Sequence, residues 1–568
     1  MSDSRRWAAL AAALLLTACA TQPVRRPAAP AATAGTARSA VLLAINDVYR
    51  IEGVEGGKLG GFARLRTLRR ELEREHPDLL VLHAGDLLFP SFLSRTFGGE
   101  QMIDVLNRLD GDAAAFDPRM FAVFGNHEFE KDKLADAAFL ERRVLGSQFR
   151  WLDGNVDFGA GADGRPLVAG ANLAPSFVVT SGGIRIGIFG LTVDTKRPQY
   201  VAGFRDPIAT ARELSAALRA QGAEVVVALT HLRAATDRDI LRQLGQEGPD
   251  LILGGHEHEH MACEVGGRFL LKADADARTA TVVELRLDGA GRLEVRHRLE
   301  GIGPRIAEDP AMEGSVERWL ALHEGLFCGQ EAGRSGTPAD PRCLEKKLGS
   351  TGTLLEAEEN KIRSRETNLG DWIADRMVET FAGCGAQAAI LNSGTLRLNQ
   401  DLPGGSDILR RHVEELFGYP TPIYQLRLDG RTLERVIEHS IAGWPGAGNW
   451  LQVAGLSFVH DTKTGAVSDL RLLGAGGARP IAPDEIVRVV ANRYLFDPAI
   501  GDRDGYTMLS PAALDPDCAL NQKGPDLKSD VVLPALERAG TIAPVADGRI
   551  RQRPALADTN PCGEDVAH

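Results

Sequence analysis

No pair of cysteines in this 568-residue chain stands as CxxC, which removes the zinc ribbons and the thioredoxin-like redox motifs from consideration. A surplus of positive charge is missing too. With a formal net charge of -12 and a pI near 5.6, the chain offers no broad surface for a nucleic-acid polymer or an anionic membrane, so any anionic ligand has to be held by local chemistry. Long apolar runs are absent: the stretch from Trp7 to Leu16 is too short to span a bilayer. The glycine-rich "GAGGAR" at 474–479 lacks the spacing and the helical context of a dinucleotide-binding turn and reads as a hairpin turn. What remains is 44% hydrophobic and 25% charged, the proportions of a globular chain long enough for two or more cored domains.

The N-terminus reads as an address. Arg5 and Arg6 precede the apolar stretch, and small residues lead up to Cys19, as in a secretory signal. Leu16-Thr17-Ala18-Cys19 resembles the lipobox of bacterial lipoproteins, which implies cleavage before Cys19, lipidation of its thiol and, with Ala20 following, an outer-membrane anchor. Residues 20–38, rich in Ala, Pro and Thr, read as a flexible tether. Six cysteines remain, and an even number in an exported chain suggests disulfides. Cys328 and Cys343, which bracket a Gly/Pro-rich loop, are the expected pair; Cys263, Cys384, Cys518 and Cys562 stay open between disulfides and buried thiols.

Five apolar, β-branched runs in the first half end in residues of metal-ligand type. They are "AVLLAIND" at Asp47, "DLLVLHAGD" at Asp86, "MFAVFGNHE" with Asn126 and His127, "EVVVALTH" at His231 and "DLILGGHEH" with His256 and His258. Helical segments such as "DPIATARELSAALRAQG" lie between some of them, so the pattern predicts an α/β sheet covered on both faces, with its site at the strand C-terminal ends. Singly, each Asp or His is an ordinary cap or core residue. As a set, they form an oxygen and nitrogen shell suited to two divalent ions bridged by Asp86, with Gly85, Gly125, Gly254 and Gly255 allowing close approach.

The order of these motifs resembles the calcineurin-like metallophosphoesterases, and the whole chain resembles the bacterial 5'-nucleotidase / UDP-sugar hydrolase family. That resemblance implies an N-terminal β-sandwich flanked by helices and a C-terminal α/β substrate-binding domain. It implies a signal over 1–19, a tether over 20–38, the metal domain over 39–302, a linker over 303–355, the second domain over 356–550 and a tail over 551–568. Position by position, Asp47, Asp86, Asn126, His231, His256 and His258 would hold two divalent ions (Mn, Zn, Co or Mg), and a water activated between them would hydrolyse the phosphoester. His127 would be the catalytic histidine, oriented by Glu130, which stands where the family usually has Asp. Tyr49 stands where the family usually has a His ligand, which would leave the first ion one ligand short. His260 and His83 are expected outside the ligand set.

In the second half, "ENKIRSRETNLGDWIADRMVETF", "AAILNSGTLR", "LFGYPTPIYQLRLDG" and "DRDGYTML" resemble the family's substrate domain. Arg363, Arg365 and Arg397 are forked donors for phosphate or carboxylate, Phe417 and Tyr494 (or Phe496) would stack on a base, and Asp504 would accept from ribose hydroxyls. Tyr419 in place of Asn, and "NSGTLR" in place of a more Gly-rich stretch, bear on nucleotide specificity. The expectation is a 5'-nucleotidase, with a phosphatase or pyrophosphohydrolase for sugar phosphates or nucleotide sugars as the alternative. A nucleotide-binding surface lipoprotein without turnover is the alternative of another class.

Overall fold

The computed structural model describes residues 37–336, 338, 340–554 and 562. The signal and lipobox, nearly all of the tether and most of the tail therefore lie outside the described residues. Among the described residues no helix is long and apolar enough to cross a membrane.

The N-terminal half is a sandwich of a seven-stranded and a six-stranded sheet. In the first, strands Arg38–Ile45, Leu80–His83 and Met120–Val123 run parallel, with Ile45 opposite His83 and His83 opposite Ala122. Their C-terminal ends thus share one edge. In the second, Val225–His231 runs parallel to Leu251–Gly254, with Thr230 opposite Gly254. Alternate residues of each strand point in opposite directions. Leu42, Ala44, Leu80, Leu82 and Val123 meet Ile188, Val227, Leu229 and Leu253 between the sheets. Val41, Leu43, Ile45, Val81 and Ala122 instead pack outward under helices Phe62–Glu75 and Glu100–Asn107. Both faces are covered, which is why these strands read as unbroken apolar runs.

The stretch 303–355, expected as a linker, is ordered. Residues Pro310–Ser335 form a 26-residue helix capped by Asp309, whose carboxylate accepts the N–H groups of Ala311 and Met312. Met312, Val316, Trp319 and Leu320 form a helical stripe, and that stripe is buried against the first domain. Strand Lys347–Thr351 already belongs to a C-terminal sheet, ahead of residue 356. The C-terminal domain is built on a four-stranded sheet in the order Ile423–Asp429, Ile486–Asn492, Ala388–Asn392, Leu451–Ala454. Helix Asn368–Thr380 starts at Thr367, whose hydroxyl accepts from the Gly370 N–H. "GAGGAR" turns between the antiparallel strands Ala466–Leu472 and Arg479–Pro480. The disulfide Cys328–Cys343 is present, and the other four cysteines are not free thiols but form Cys263–Cys562 and Cys384–Cys518.

A buried carboxylate cluster pins the last strand of this domain. Glu366 accepts the N–H groups of Gly548 (2.8 Å) and Ile550 (2.6 Å), and the buried Asp371 carboxyl lies beside it, 3.5 Å from Arg549 Nε. Burial, together with Glu366, pushes the Asp371 carboxyl up to about 9 against the opposing pull of Arg549. The folded state holds this proton more tightly than the unfolded chain, whose carboxyl titrates near about 4. Stability tied to it is full below that value and is lost as pH rises toward about 9. Asp371→Asn is therefore expected to raise the melting temperature by several °C at pH 8, on the order of 2–4 °C per kcal/mol, and to change little at pH 5. Equal shifts at both pH values, read by calorimetry, would sink this account.

Candidate functional site

Four residues at the shared sheet edge have positive φ: Asp47 (51°), Asp86 (55°), His256 (88°) and His258 (64°). For residues other than glycine this is a sparsely populated region, and strain of this kind persists only where the surroundings impose it. The strain turns each side chain inward. Asp47 and Asp86 are buried. Gly125 cannot be replaced without collision, since a Cβ there would lie 2.2 Å from Asp86 Oδ1; a Cβ on Gly255 would lie 2.8 Å from Asp47 Oδ2.

Asp47 Oδ2 accepts from the His256 N–H (2.9 Å) and from Asn46 Nδ2 (2.8 Å), leaving Oδ1 facing His258 Nε2 at 3.3 Å. Asp86 Oδ1 accepts from the His127 N–H (2.6 Å), leaving Oδ2 3.1 Å from His231 Nε2. His231 Nδ1 donates to the Ala84 carbonyl at 2.7 Å, so in its neutral form the Nε2 lone pair points at the two carboxylates. That nitrogen is fully buried. Burial alone would lower the His231 pKa, but Asp86 and Asp47 raise it to about 10; burial alone would raise Asp86, but His231 and His127 hold it down to about 2. Asp47 lies well below the usual carboxylate range, held there against burial by His231 and His258. A proton shared among two buried carboxylates and an imidazole is what a divalent cation replaces. One oxygen or nitrogen from each of Asp47, Asp86 and His231 lies within 4.8 Å of the others. The donor set fits a divalent metal. Beside this trio, His256 Nδ1 lies 3.1 Å from Asn126 Oδ1. Burial, with His231 nearby, lowers the His256 pKa to about 4, which keeps the ring neutral and able to ligate.

Tyr49 projects into the same cluster. Its hydroxyl is 2.9 Å from His258 Nε2, 3.3 Å from Asp47 Oδ1 and 3.4 Å from Asp86 Oδ2. Burial, then Asp86 and Asp47, push its pKa well above the ordinary phenol value, so it is a neutral hydrogen-bonding group here. His260 is exposed, away from this cluster, and its backbone N–H donates to Asp274. His83 is fully buried with neither ring nitrogen hydrogen-bonded.

His127 stands beside the trio. Its Nδ1 is 2.6 Å from Glu130 Oε1 and its Nε2 3.9 Å from Asp86 Oδ2. Lys196 Nζ also reaches Glu130 Oε1, at 2.5 Å. Against burial, His127 and Lys196 hold Glu130 well below the carboxylate range, so the imidazole is oriented by an ionised group. Sequence reading passed over Lys196, which no motif marks, and Glu128, the last letter of "GNHE". Glu128 is buried and accepts the backbone N–H groups of Asp86 (3.0 Å), Leu87 (2.7 Å), Leu88 (2.9 Å) and Gly125 (2.5 Å). It ties the Asp86 loop to the Asn126 loop.

A cavity of about 450 Å³ opens in the C-terminal domain. Arg363, Arg397, Asn392, Tyr419, Tyr494 and Asp504 line it. Asp504 accepts from Asn392 Nδ2 (2.7 Å) and from the Tyr494 hydroxyl (3.1 Å). Two of the expected binding residues are elsewhere. Phe417 is 1% exposed and packs into the core around Ile373 and Leu391, because the chain turns over after it; Tyr419, 63% exposed, is the aromatic that reaches the cavity. Arg365 lies outside the lining and pairs with Glu356 at 2.8 Å. Asn392, within the quoted "NSGTLR", is the polar residue that sequence reading passed over.

The two halves meet over the metal-ready cluster. Arg50 pairs with Glu415 (2.8 Å), Arg278 with Glu358 (2.8 Å), and Asn360 Nδ2 donates to the Glu257 carbonyl (2.6 Å).

The family model of calcineurin-like phosphoesterases matches residues 40–260, and that of the 5'-nucleotidase C-terminal domain matches residues 347–511. The chain is 25% identical over 537 residues to a 5'-nucleotidase of Rattus norvegicus, an alignment that covers 87% of this chain and 85% of that protein. It is 23% identical to a trifunctional nucleotide phosphoesterase of Bacillus subtilis, covering 86% of this chain but only 34% of the relative, so it spans about a third of that protein. Among solved structures it shares the fold of a 5'-nucleotidase precursor from Thermus thermophilus (TM-score 0.69, 23% identity, 90% of this chain and 99% of that one). It also shares the fold of a sulfate thiohydrolase, SoxB, from the same genus (TM-score 0.64, 17% identity, 90% and 96%).

Proposed function

From its membership of the calcineurin-like phosphoesterases that carry a 5'-nucleotidase C-terminal domain, which makes this chain a metal-dependent phosphoester hydrolase, we propose that its substrates are nucleoside 5'-phosphates, cleaved to nucleoside and phosphate. The carrying observation is that Asp47, Asp86 and His231 converge within 4.8 Å at the edge facing the domain whose cavity presents Arg363, Arg397 and two tyrosines.

In this reading Asp47, Asp86, Asn126, His231, His256 and His258 hold two divalent cations. Those cations, when bound, supply Lewis-acid neutralisation of the phosphoryl oxygens and acidify water. His127, with Nδ1 held against Glu130, turns Nε2 toward the reacting phosphoryl group and the departing oxygen. Arg363 and Arg397 provide forked donors for anionic oxygens, the rings of Tyr419 and Tyr494 offer faces to a base, and Asp504 accepts from ribose hydroxyls. Metal-stripped enzyme is expected to release no phosphate. Reloaded with Mn, Zn, Co or Mg, it should release phosphate from AMP, GMP or UMP faster than it hydrolyses a sugar phosphate, UDP-glucose or bis-p-nitrophenyl phosphate. Turnover confined to the non-nucleotide esters would defeat the substrate assignment and leave the hydrolase intact.

Three disulfides support a chain that matures in an oxidising compartment, and Leu16–Cys19 supports a lipid anchor there. Metabolic labelling with palmitate should mark the wild type and be lost in Cys19→Ala; equal labelling of both would remove the anchor.

A further inference from the structure

His258 has two nitrogens with different surroundings. Nε2 faces Asp47 and Tyr49, the side on which an ion is held in the reading above, and the inference here rests on that reading. Nδ1 is buried and makes no hydrogen bond. An imidazole that ligates through Nε2 has its proton on Nδ1, and a buried N–H without an acceptor carries its full desolvation cost. The carboxylate closest to meeting that need comes from the other domain: Glu359 Oε2 is 3.8 Å from His258 Nδ1.

Glu359 is not a drifting surface acid. Its side chain is 14% exposed, its backbone N–H donates to Asn399 Oδ1 (3.1 Å), and its other oxygen is paired with the Arg363 guanidinium. Arg363 in turn lines the C-terminal cavity. A continuous chain thus runs from the cavity wall through Arg363 and Glu359 to His258 and the metal-ready cluster.

We propose that Glu359 is the positioning carboxylate of His258, supplied across the domain interface, so that one metal position is complete only when the C-terminal domain sits over it. At 3.8 Å the pair is an ion-pair contact, and an approach of under about 1 Å makes it an N–H···O bond. The consequence is a coupling between domain docking and retention of the ion at His258. Orienting partners of metal-ligating histidines typically contribute 10–100-fold in metal affinity.

The test is Mn²⁺ titration of the full-length, metal-stripped protein by calorimetry, in wild type, Glu359→Ala, Glu359→Asp and His258→Ala, with metal-free melting temperatures alongside. Glu359→Ala is expected to weaken one of two binding events about 10–100-fold, to leave the other and the metal-free melting temperature unchanged, and to be partly rescued by Glu359→Asp. An unchanged isotherm in Glu359→Ala, with His258→Ala weakened, would overturn the role of Glu359 and keep His258 as a ligand. An unchanged isotherm in His258→Ala would overturn both. Equal weakening of both events together with a lowered metal-free melting temperature would make Glu359 a structural residue and overturn the proposal.

Discussion

His127→Ala should lower phosphate release from nucleoside monophosphates by about 10²–10⁴-fold, the range associated with a positioned proton-transfer group, while leaving bound metal at its wild-type stoichiometry. The two halves of this expectation follow from one geometry. The His127 ring lies beside Asp86 at 3.9 Å rather than inside the Asp47, Asp86 and His231 trio, so its removal takes no ligand away. What it removes is an imidazole whose Nδ1 is fixed by Glu130, itself braced by Lys196. Its backbone N–H, which donates to Asp86 Oδ1, survives the substitution and keeps that carboxylate oriented. Steady-state kinetics combined with metal analysis checks it. Metal lost together with activity would place His127 in the ligand shell and sink the role assigned here.

The second large effect is structural and falls on Glu128. Its carboxylate satisfies four buried backbone N–H groups, on the two loops that carry Asp86 and Asn126. Each orphaned donor is unfavourable by about 1–3 kcal/mol, so four approach the whole stability of a domain, about 5–15 kcal/mol. Glu128→Ala is expected to leave the N-terminal domain unfolded or molten at 25 °C. Glu128→Gln should fold with a lowered melting temperature, because one amide oxygen accepts where two carboxylate oxygens did and the amide NH₂ opposes the remaining donors. Circular dichroism melts and limited proteolysis would read this, and a Glu128→Ala melt within about 2 °C of wild type would show that the N–H groups find other partners.

Glu128 also shows where sequence reading ends. Asp47, Asp86, His231 and His256 were legible because each follows an apolar run with a residue type that ligates, and parallel strands necessarily deliver such residues to one edge. Glu128 sits in the same motif as Asn126 and His127, yet a glutamate after a histidine carries no local sign that four amides converge on it. Phe417 and Tyr419 reverse roles for a similar reason: both are aromatic residues beside a turn, and only the packing of Ile373 and Leu391 decides which one is buried. The helix Pro310–Ser335 was legible in principle, since its apolar stripe is periodic, but the glycines and prolines that follow it drew the whole stretch into a linker.

The sequence by itself determined the chemistry at the strand ends, the two-domain plan and the start of helix Asn368–Thr380 at Thr367, because ligand type, apolar period and caps act within a few residues of where they are written. Tertiary structure alone decided the pairing of Cys263 with Cys562 and of Cys384 with Cys518, the bracing of Glu130 by Lys196 and the approach of Glu359 to His258. Those contacts join residues far apart in the chain, and which of many chemically equivalent partners meet is set by how sheets and helices pack, a property that no local pattern encodes.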